Sequence, residues 1–182
     1  MNVDRTTIPG VLIFTPQPHH DERGLFTRTF DADVARSEGI DPAAFSQDSQ
    51  SRSIRGVVRG MHGRSGAGEA KLVRCARGAV CDVLVDIRAS SPTFGESITV
   101  ALDDVAFRIL YVPPGLLHGF QVVSDLADVC YRINRTHNPE EDMAVHYADP
   151  DLAIAWPNPV TVVSDRDRAA GTWQHLISGL HG

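Results

Sequence analysis

The hydrophobic positions of this chain fall in short runs that are separated by glycine, proline and polar turns. Seven of these runs have the length and composition of β-strands, and they cover residues 55–60, 70–76, 79–87, 96–102, 107–112, 119–123 and 127–134. Connections such as Arg77-Gly78 and Pro113-Pro114-Gly115 are too short to hold a crossover helix, so neighbouring strands should be antiparallel. The pattern predicts an all-β fold, built as a closed barrel or a double sheet.

The two ends of the chain have a different pattern. Residues 11–14 and 25–30 predict two further strands. Asp31 has the chemistry of an N-cap for a short helix over residues 32–38, which Gly39 would end. Residues 165–180 predict a weakly helical C-terminal stretch. The chain contains no internal repeat and no linker, so we expect one domain over residues 1–182.

Strand periodicity places a few polar side chains on faces that are otherwise apolar. Lys71 shares a face with Val73, and Tyr131 shares one with Val129, because alternate residues of a strand point the same way. Asp82 lies opposite the apolar side of its strand. Two interpretations follow. Either these side chains line a pocket inside the barrel, or Lys71 extends to the rim and Tyr131 is a core residue with a bonded hydroxyl.

Composition and charge narrow the classes of partner. The 182 residues carry a formal charge of −6, which argues against nucleic acid because phosphate binding needs a dense basic surface. No apolar run approaches the roughly 20 residues that a membrane span needs, and the N-terminus lacks a signal-peptide pattern. The three cysteines lie in apolar runs without paired spacing, so we expect reduced thiols and a cytoplasmic protein.

His62 is the first candidate for chemistry, because it stands at the end of a β-prone run and Lys71 lies in the next one. An imidazole and an ammonium on neighbouring strands can remove a proton and stabilise the negative charge that is left. A metal site in a β-barrel would instead need two histidines one residue apart and a carboxylate. Only His118 is placed to join His62 in such a site, and His19 and His20 are adjacent, so we expect no metal.

Several motifs follow one another in an order that resembles a known family. They are residues 21–26, Gln47, and residues 56–62, 70–74, 77–88, 91–95, 113–120, 149–151, 154–157 and 164–167. Together they span nearly the whole chain and resemble the dTDP-4-dehydrorhamnose 3,5-epimerase family of dTDP-sugar epimerases. The resemblance implies a cupin-type jelly-roll barrel with a few short helices. It also implies a homodimer, a nucleotide-linked 4-keto-6-deoxyhexose as substrate, and no cofactor.

The resemblance implies roles for particular residues. His62 would be the general base, Tyr131 the general acid on the opposite face of the sugar, and Lys71 the group that stabilises the enolate. Asp167 would fix the tautomer of His62, a role for which the sequence alone nominates Asp82 equally. The implied substrate-binding residues are Arg23, Phe26, Arg28, Gln47, Arg59, His118 and His137. In this family the N-terminal segment reaches into the partner's site, which would explain the sequence distance between Arg23 and His62.

Some positions depart from the family pattern. Arg28 stands where relatives usually have glutamate, Gly63 and Arg64 replace tyrosine and glutamine, and His137 stands where a second tyrosine is common. The expected function is inversion of C3, C5 or both. Alternatives are an epimerase restricted to one centre or to another nucleotide, and a non-catalytic cupin sugar-binding module. Because Gly63 and His137 remove bulk near His62, we expect one centre to exchange faster than the other.

Overall fold

β-Strands make up most of the regular structure. The computed structural model describes residues 1–180. The strands are, in chain order, β1 (Asn2–Arg5), β2 (Leu12–Thr15), β3 (His19–Asp21), β4 (Gly24–Phe26), β5 (Gln47–Ile54), β6 (Val58–Arg64), β7 (Lys71–Arg77), β8 (Ala79–Asp86), β9 (Ser97–Asp103), β10 (Ile109–Val112), β11 (Leu116–Val122), β12 (Leu126–Ile133) and β13 (Asp142–Ala144). The helices are α1 (Ala32–Ser37), α2 (Asp165–Arg168) and α3 (Trp173–Leu180), with short 3-10 segments at Pro42–Ala44 and Pro139–Glu141. Within the described part of the chain, no helix is long and apolar enough to cross a membrane.

Two sheets form the body of the fold. The first contains six strands in the order β1-β2-β10-β7-β12-β5, and the second contains five in the order β13-β6-β11-β8-β9. β3 and β4 form a separate hairpin. The strand pairings within these sheets are antiparallel. Buried side chains of both sheets meet in one core, among them Val73, Leu84, Leu110, Phe120 and Val129. The predicted all-β jelly-roll fold is confirmed.

Two smaller apolar clusters cover the outer faces of the sheets. On the six-stranded sheet, Ala35 of α1 packs with Phe14 and Leu72. On the five-stranded sheet, Trp173 of α3 packs with Leu117. Burial of apolar surface stabilises such contacts by about 25 cal/mol per Å². The second cluster therefore fixes the C-terminal segment against the sheet that carries β6.

The helix predictions are confirmed in position and corrected in extent. α1 begins after Asp31, whose Oδ1 accepts hydrogen bonds from the backbone N–H of Asp33 at 3.0 Å and of Val34 at 3.3 Å. The C-terminal stretch forms two helices rather than one. Between α2 and α3, Gly171 pairs with Val145 in an isolated β-bridge.

The polar strand β5 is absent from the sequence prediction. It pairs with β12 along its whole length, from Gln47 opposite Ile133 to Ile54 opposite Leu126. Because its side chains are mostly serine, glutamine and charged groups, it has no hydrophobic alternation to detect. The strand predicted over residues 25–30 is wrong beyond Phe26, where the chain leaves the short β3–β4 hairpin.

Two glycines lie inside strands where the sequence pattern suggested strand ends. The predictions ended one strand at Gly60 and began another at Gly119, whereas β6 continues to Arg64 and β11 begins at Leu116. A Cβ on Gly60 would lie 2.6 Å from the Cα of Gly119, so the two glycines let the backbones approach each other. Beside this approach the ladder is irregular and sets His118 opposite His62.

The three cysteines carry free thiols, as the sequence predicted. Burial raises the pKa of Cys75 to about 11. Burial also raises the pKa of Cys81 and of Cys130. These thiols therefore stay protonated at neutral pH and are poor nucleophiles.

Replacing Gly78 by alanine should destabilise the fold strongly. Gly78 has a φ of +77°, and an added Cβ would clash with the carbonyl oxygen of Leu126 and the hydroxyl of Ser124. We expect Gly78→Ala to lower the free energy of unfolding by about 3 kcal/mol or more, of which the left-handed φ accounts for roughly 1–2 kcal/mol. Urea denaturation at equilibrium measures the change.

Gly66→Ala is the matched control for this prediction. Gly66 has a φ of +63°, and beyond its chain neighbours no atom of the described residues lies within 4 Å of its added Cβ. In this variant the free energy of unfolding should fall only by the cost of the left-handed φ, roughly 1–2 kcal/mol. Equal losses at Gly66 and Gly78 would contradict the argument from close contact.

Candidate active site

A cavity of about 800 Å³ opens between the two sheets. Six of the predicted site residues line it: Arg59, His62, Lys71, His118, Tyr131 and Asp167. His62 and His118 belong to the five-stranded sheet, and Lys71 and Tyr131 belong to the six-stranded sheet. Of the two interpretations of Lys71 and Tyr131, the structure therefore supports the lined pocket.

Asp167 is held beside His62 at the start of α2. Its Oδ1 lies 2.6 Å from His62 Nε2, and its Oδ2 accepts a hydrogen bond from the Gly60 N–H at 3.3 Å. Ser164 caps the helix by accepting a hydrogen bond from the Asp167 N–H at 3.1 Å. The Asp167 side chain is 5% exposed, whereas that of His62 is 37% exposed. The imidazole is thus fixed at one nitrogen and open to the cavity.

The surroundings of Asp167 keep it charged. Burial by itself raises the pKa of this carboxyl group, but the hydrogen bond and charge of His62 lower it, and the bonds with Gly60 and Ser164 lower it further. The net pKa lies below the ordinary value of 3.8. Asp167 is therefore ionised at neutral pH, as a carboxylate that orients a histidine needs to be.

Asp82, the other carboxylate that the sequence nominated, contacts a different histidine. Its Oδ2 lies 2.9 Å from His118 Nε2, and both side chains are buried. Its Oδ1 has no hydrogen-bond partner among the described residues. Asp82 thus orients His118, and Asp167 is the carboxylate that contacts His62. Among residues 1–180, no three His, Cys, Asp or Glu side chains are grouped as a metal site would require.

The Tyr131 hydroxyl donates a hydrogen bond to the Oγ of Ser51 on the neighbouring strand β5. Burial raises the pKa of Tyr131, and the opposing effects of Ser51 and of the Arg59 charge leave it above its ordinary value of 10.0. Arg59 in turn donates from Nε to the Oγ of Ser53 at 3.0 Å. Tyr131 is therefore protonated at neutral pH. Sequence reasoning missed both serines because their strand has no apolar pattern.

Lys71 is paired with a carboxylate that sequence reasoning did not single out. Its Nζ lies 3.0 Å from Glu69 Oε1, and the two side chains are 13% and 10% exposed. The other carboxylate oxygen of Glu69 lies 2.8 Å from Arg64 Nε. The spacing of two residues along an extended chain was the available signal, because it puts both side chains on one side.

Three of the predicted binding residues lie on the N-terminal segment and do not line the cavity. Arg23 is exposed and pairs with Asp21 at 2.6 Å in the β3–β4 hairpin. Phe26 is 70% exposed at the end of the hairpin. Arg28 pairs with Asp31 at 2.8 Å. The structure does not bring these side chains to the cavity of their own chain.

Gln47 and His137 are near the cavity without lining it. Gln47 begins β5 and lies opposite Ile133, which is a lining residue. His137 Nε2 lies 3.2 Å from Asp142 Oδ2, which also accepts a hydrogen bond from Arg166 at 2.7 Å. Arg166 lines the cavity, and sequence reasoning missed it as a site residue.

Gly63 does not widen the cavity. An added Cβ at this position would lie 3.0 Å from Leu117 Cδ2 and 3.2 Å from the Leu116 carbonyl oxygen. Leu117 belongs to the apolar cluster on the outer face of the five-stranded sheet. The expectation that Gly63 removes bulk beside His62 is therefore wrong, because the position faces away from it.

Residues 5–175 match the family model described as dTDP-4-dehydrorhamnose 3,5-epimerase. The chain belongs to this family. It is therefore an isomerase of the dTDP-sugar epimerase class, and the family predicted from the sequence motifs is confirmed. The matched residues include both His62 and Asp167.

Individual relatives of this dTDP-sugar epimerase cover most of its length. The dTDP-4-dehydrorhamnose 3,5-epimerase of Shigella flexneri is 41% identical over 168 residues, which is 92% of this chain and 93% of the relative. The dTDP-4-dehydrorhamnose 3-epimerase of Streptomyces niveus is 42% identical over 164 residues, which is 90% of this chain and 79% of the relative. A crystal structure of the dTDP-6-deoxy-D-glucose-3,5-epimerase of Legionella pneumophila contains dTDP-4-keto-L-rhamnose. It superposes with a TM-score of 0.91 at 39% identity, over 98% of this chain and 96% of that one.

In this dTDP-sugar epimerase, Asp167 should contribute stability that depends on pH. Because its pKa in the folded protein is below 3.8, the contribution is present above that value and is lost as the pH falls through the folded pKa. We expect Asp167→Asn to lower the free energy of unfolding by about 1–3 kcal/mol at pH 7. The difference from wild type should shrink steadily below about pH 4.

The control is Asp165→Asn, two residues earlier in α2. The Asp165 side chain is 98% exposed, so its loss should change stability by less than about 0.5 kcal/mol at any pH. Denaturant unfolding from neutral to acid pH measures both variants. If the difference in free energy of unfolding between Asp167→Asn and wild type stays constant over that pH range, the predicted dependence on the Asp167 pKa is wrong.

Proposed function

We propose that this chain inverts C3, C5 or both in a dTDP-linked 4-keto-6-deoxyhexose by proton transfer without a cofactor. The observation that supports this best is the placement of His62 and Tyr131 on opposite walls of one cavity. Inversion removes a proton from one face of a carbon and returns one to the other face, so it needs two opposed groups. One epimerase domain spans residues 1–182 in this proposal.

The ketone of the substrate makes the reaction accessible to ordinary side chains. Removal of a proton from C3 or C5 gives an enolate whose charge rests on the C4 oxygen. His62 takes the proton, since an imidazole suits this task near neutral pH. Lys71 stabilises the enolate oxygen, an effect of about 2–4 kcal/mol. Tyr131 returns a proton from the opposite wall, and the carbonyl itself is the electron sink.

Asp167 is the orienting carboxylate in this proposal. It is ionised and lies 2.6 Å from one ring nitrogen of His62. A carboxylate in this position fixes the tautomer of the imidazole and stabilises the imidazolium that forms when the proton is taken. Asp82 is engaged with His118 and has no part in this pair.

The nucleotide part of the substrate is assigned from the family and from the cationic side chains near the cavity. The Legionella pneumophila relative was solved with dTDP-4-keto-L-rhamnose, and we propose a thymidine diphosphate sugar for this chain as well. Arg59 and Arg166 line the cavity. One guanidinium group can donate two parallel hydrogen bonds to two oxygens of a phosphate. The remaining binding residues in this proposal are Gln47, His118 and His137, together with Arg28, which does not line the cavity of its own chain and would act at that of a partner.

We further propose a homodimer in which the β3–β4 hairpin completes the site of the partner subunit. The hairpin exposes Phe26 at 70% and Leu25 at 47%. Large apolar side chains exposed within one short strand indicate an interaction surface. Arg23 lies on the same hairpin, away from the cavity of its own chain. In the dimer, Phe26 stacks on the base and Arg23 binds the diphosphate.

The number of inverted centres separates two candidate functions. At nearly equal identity, the Shigella flexneri relative is named a 3,5-epimerase and the Streptomyces niveus relative a 3-epimerase. Inversion of one centre is therefore the second candidate. His137 remains the substitution near the cavity that favours unequal rates, and separate exchange rates at C3 and C5 distinguish the two functions.

Exchange in deuterated water tests the proposed reaction. The wild-type enzyme should introduce deuterium at C3, C5 or both of dTDP-4-dehydro-6-deoxyglucose, as followed by NMR. His62→Ala should slow exchange at both carbons by about 10³-fold or more, because no base remains. Tyr131→Phe should keep exchange at the carbon while slowing the inverted product by about 10- to 100-fold.

The control for this experiment is His175→Ala, since His175 is exposed on α3 and should keep wild-type rates. Undiminished exchange by His62→Ala would refute the proposed base. Normal inversion by Tyr131→Phe would assign the acid role to another group.

Mixing two inactive variants tests the shared site. The double variant Arg23→Ala/Phe26→Ala loses the hairpin contacts, and His62→Ala loses the base. In a mixed dimer, the hairpin of the His62→Ala chain completes the intact cavity of the other chain. Reassociation of an equimolar mixture should therefore restore about a quarter of wild-type activity. If the mixture is no more active than the two variants measured separately, the hairpin does not complete the site of the partner subunit.

A further inference from the structure

The chain contains one lysine, and therefore one ammonium side chain. Of 17 basic residues, Lys71 is the one lysine and the other 16 are arginine. An ammonium is a compact point charge with three donors, whereas a guanidinium is a broad planar fork. Lys71 lines the cavity, so the electrostatics of that wall depend on where this one ammonium is held.

Glu69 holds this ammonium in place. Its Oε1 lies 3.0 Å from Lys71 Nζ, and both side chains are almost buried. A buried ion pair is screened little by solvent, so its geometry is better defined than that of a surface pair. Glu69 itself does not line the cavity. It therefore reaches the cavity only through Lys71.

The backbone on both sides of Glu69 is fixed. The Ala70 N–H donates to Asn134 Oδ1 at 2.7 Å, and the Asn134 N–H donates to the Ala70 carbonyl at 3.2 Å. Arg135 Nη1 donates to the Gly68 carbonyl at 2.7 Å. These bonds tie the segment to the residues that follow β12, on the wall opposite His62. The carboxylate of Glu69 therefore starts from a defined position.

Arg64 balances the charge of Glu69. Its Nε lies 2.8 Å from Glu69 Oε2, which accepts no hydrogen bond of good geometry from residues 1–180, so the contact is one of charge with charge. Asp142 is more distant from Arg64, at 3.9 Å, and is paired with Arg166. Glu69 and Lys71 alone would form a neutral pair. With Arg64 the buried group carries one net positive charge, which strengthens its attraction for an oxyanion.

We propose that Glu69 is a positioning residue for the epimerase reaction, which directs the Lys71 ammonium into the cavity while Arg64 preserves its net positive field. The inference rests on the proposed function, in which Lys71 stabilises the enolate. Without the carboxylate, the long side chain of Lys71 can take other rotamers. A misplacement of about 1 Å at a reacting centre costs on the order of 10²-fold in rate.

A double-mutant cycle tests this role. Glu69→Gln should lower kcat for solvent exchange by about 10- to 100-fold and keep KM within about two-fold, because the lost interaction acts on the transition state. In a Lys71→Ala background, the same substitution should change kcat by less than about two-fold, since no ammonium is left to position. An equal fall in both backgrounds, or no fall with Lys71 present, would overturn the proposal.

Glu141→Gln is the matched control. Glu141 pairs with Arg135 at 3.0 Å in the same region and makes no ion pair with Lys71. It should keep the wild-type kcat, and thermal unfolding checks that the variants are folded. A fall in kcat equal to that of Glu69→Gln would overturn the proposal, because general loosening of the segment would explain both.

A second readout needs no substrate. Because the chain has one lysine, labelling with ¹³C,¹⁵N-lysine gives a single side-chain Nζ signal, which belongs to Lys71. Glu69→Gln should shift this signal and Glu141→Gln should leave it in place. An unchanged Lys71 signal in Glu69→Gln overturns the positioning role. If the wild-type enzyme exchanges no 4-keto sugar, the proposed function fails, and the Lys71 signal still decides whether Glu69 holds the ammonium.

Discussion

A side chain that is charged inside a hydrophobic barrel needs an ion-pair or hydrogen-bond partner, because burial removes its hydration. Three carboxylates at or beside the cavity of this protein each meet that need through a cavity side chain. The pairs are His62 with Asp167, His118 with Asp82, and Lys71 with Glu69. Each carboxylate limits where its partner's head group can lie. The orientation of the site therefore follows from the same electrostatic requirement that lets charged groups exist inside the fold.

One of these carboxylates makes the cavity depend on packing outside the barrel. Asp167 is 105 residues from His62 and lies on the four-residue helix α2, which is too short to hold itself. The C-terminal segment is fixed where Trp173 packs on the outer face of the five-stranded sheet. The Val58 N–H also donates a hydrogen bond to the Val162 carbonyl oxygen at 3.2 Å, which joins the C-terminal segment to β6 itself. Apolar contacts on the outside thus determine the position of a charge on the inside.

Local patterns predicted the parts of the fold that local physics determines. Alternation along β7 and β12 placed Lys71 and Tyr131 on inward faces, and the side-chain chemistry of Asp31 predicted the start of α1. What failed depends on distant pairing. The break in the C-terminal helical stretch coincides with the β-bridge between Gly171 and Val145, the residue after β13. The residues themselves suggested proton removal by His62 beside Lys71. The roles of Asp167, Tyr131 and the other site residues came from the family resemblance, and all of these roles stay proposals.

The hydrophobic pattern is weakest where the site is richest in polar contacts, and β5 explains why. Its serines use positions that would face the core in an ordinary strand, and Ser51 and Ser53 instead bond to Tyr131 and Arg59. Such a strand gains little from apolar burial and is held by its ladder with β12. The loss of pattern thus accompanies the polar contacts of this strand, since serines that bond to cavity side chains replace the residues that would have predicted the strand. A polar stretch of sequence next to strands with clear hydrophobic alternation is therefore a candidate for a strand that lines a site.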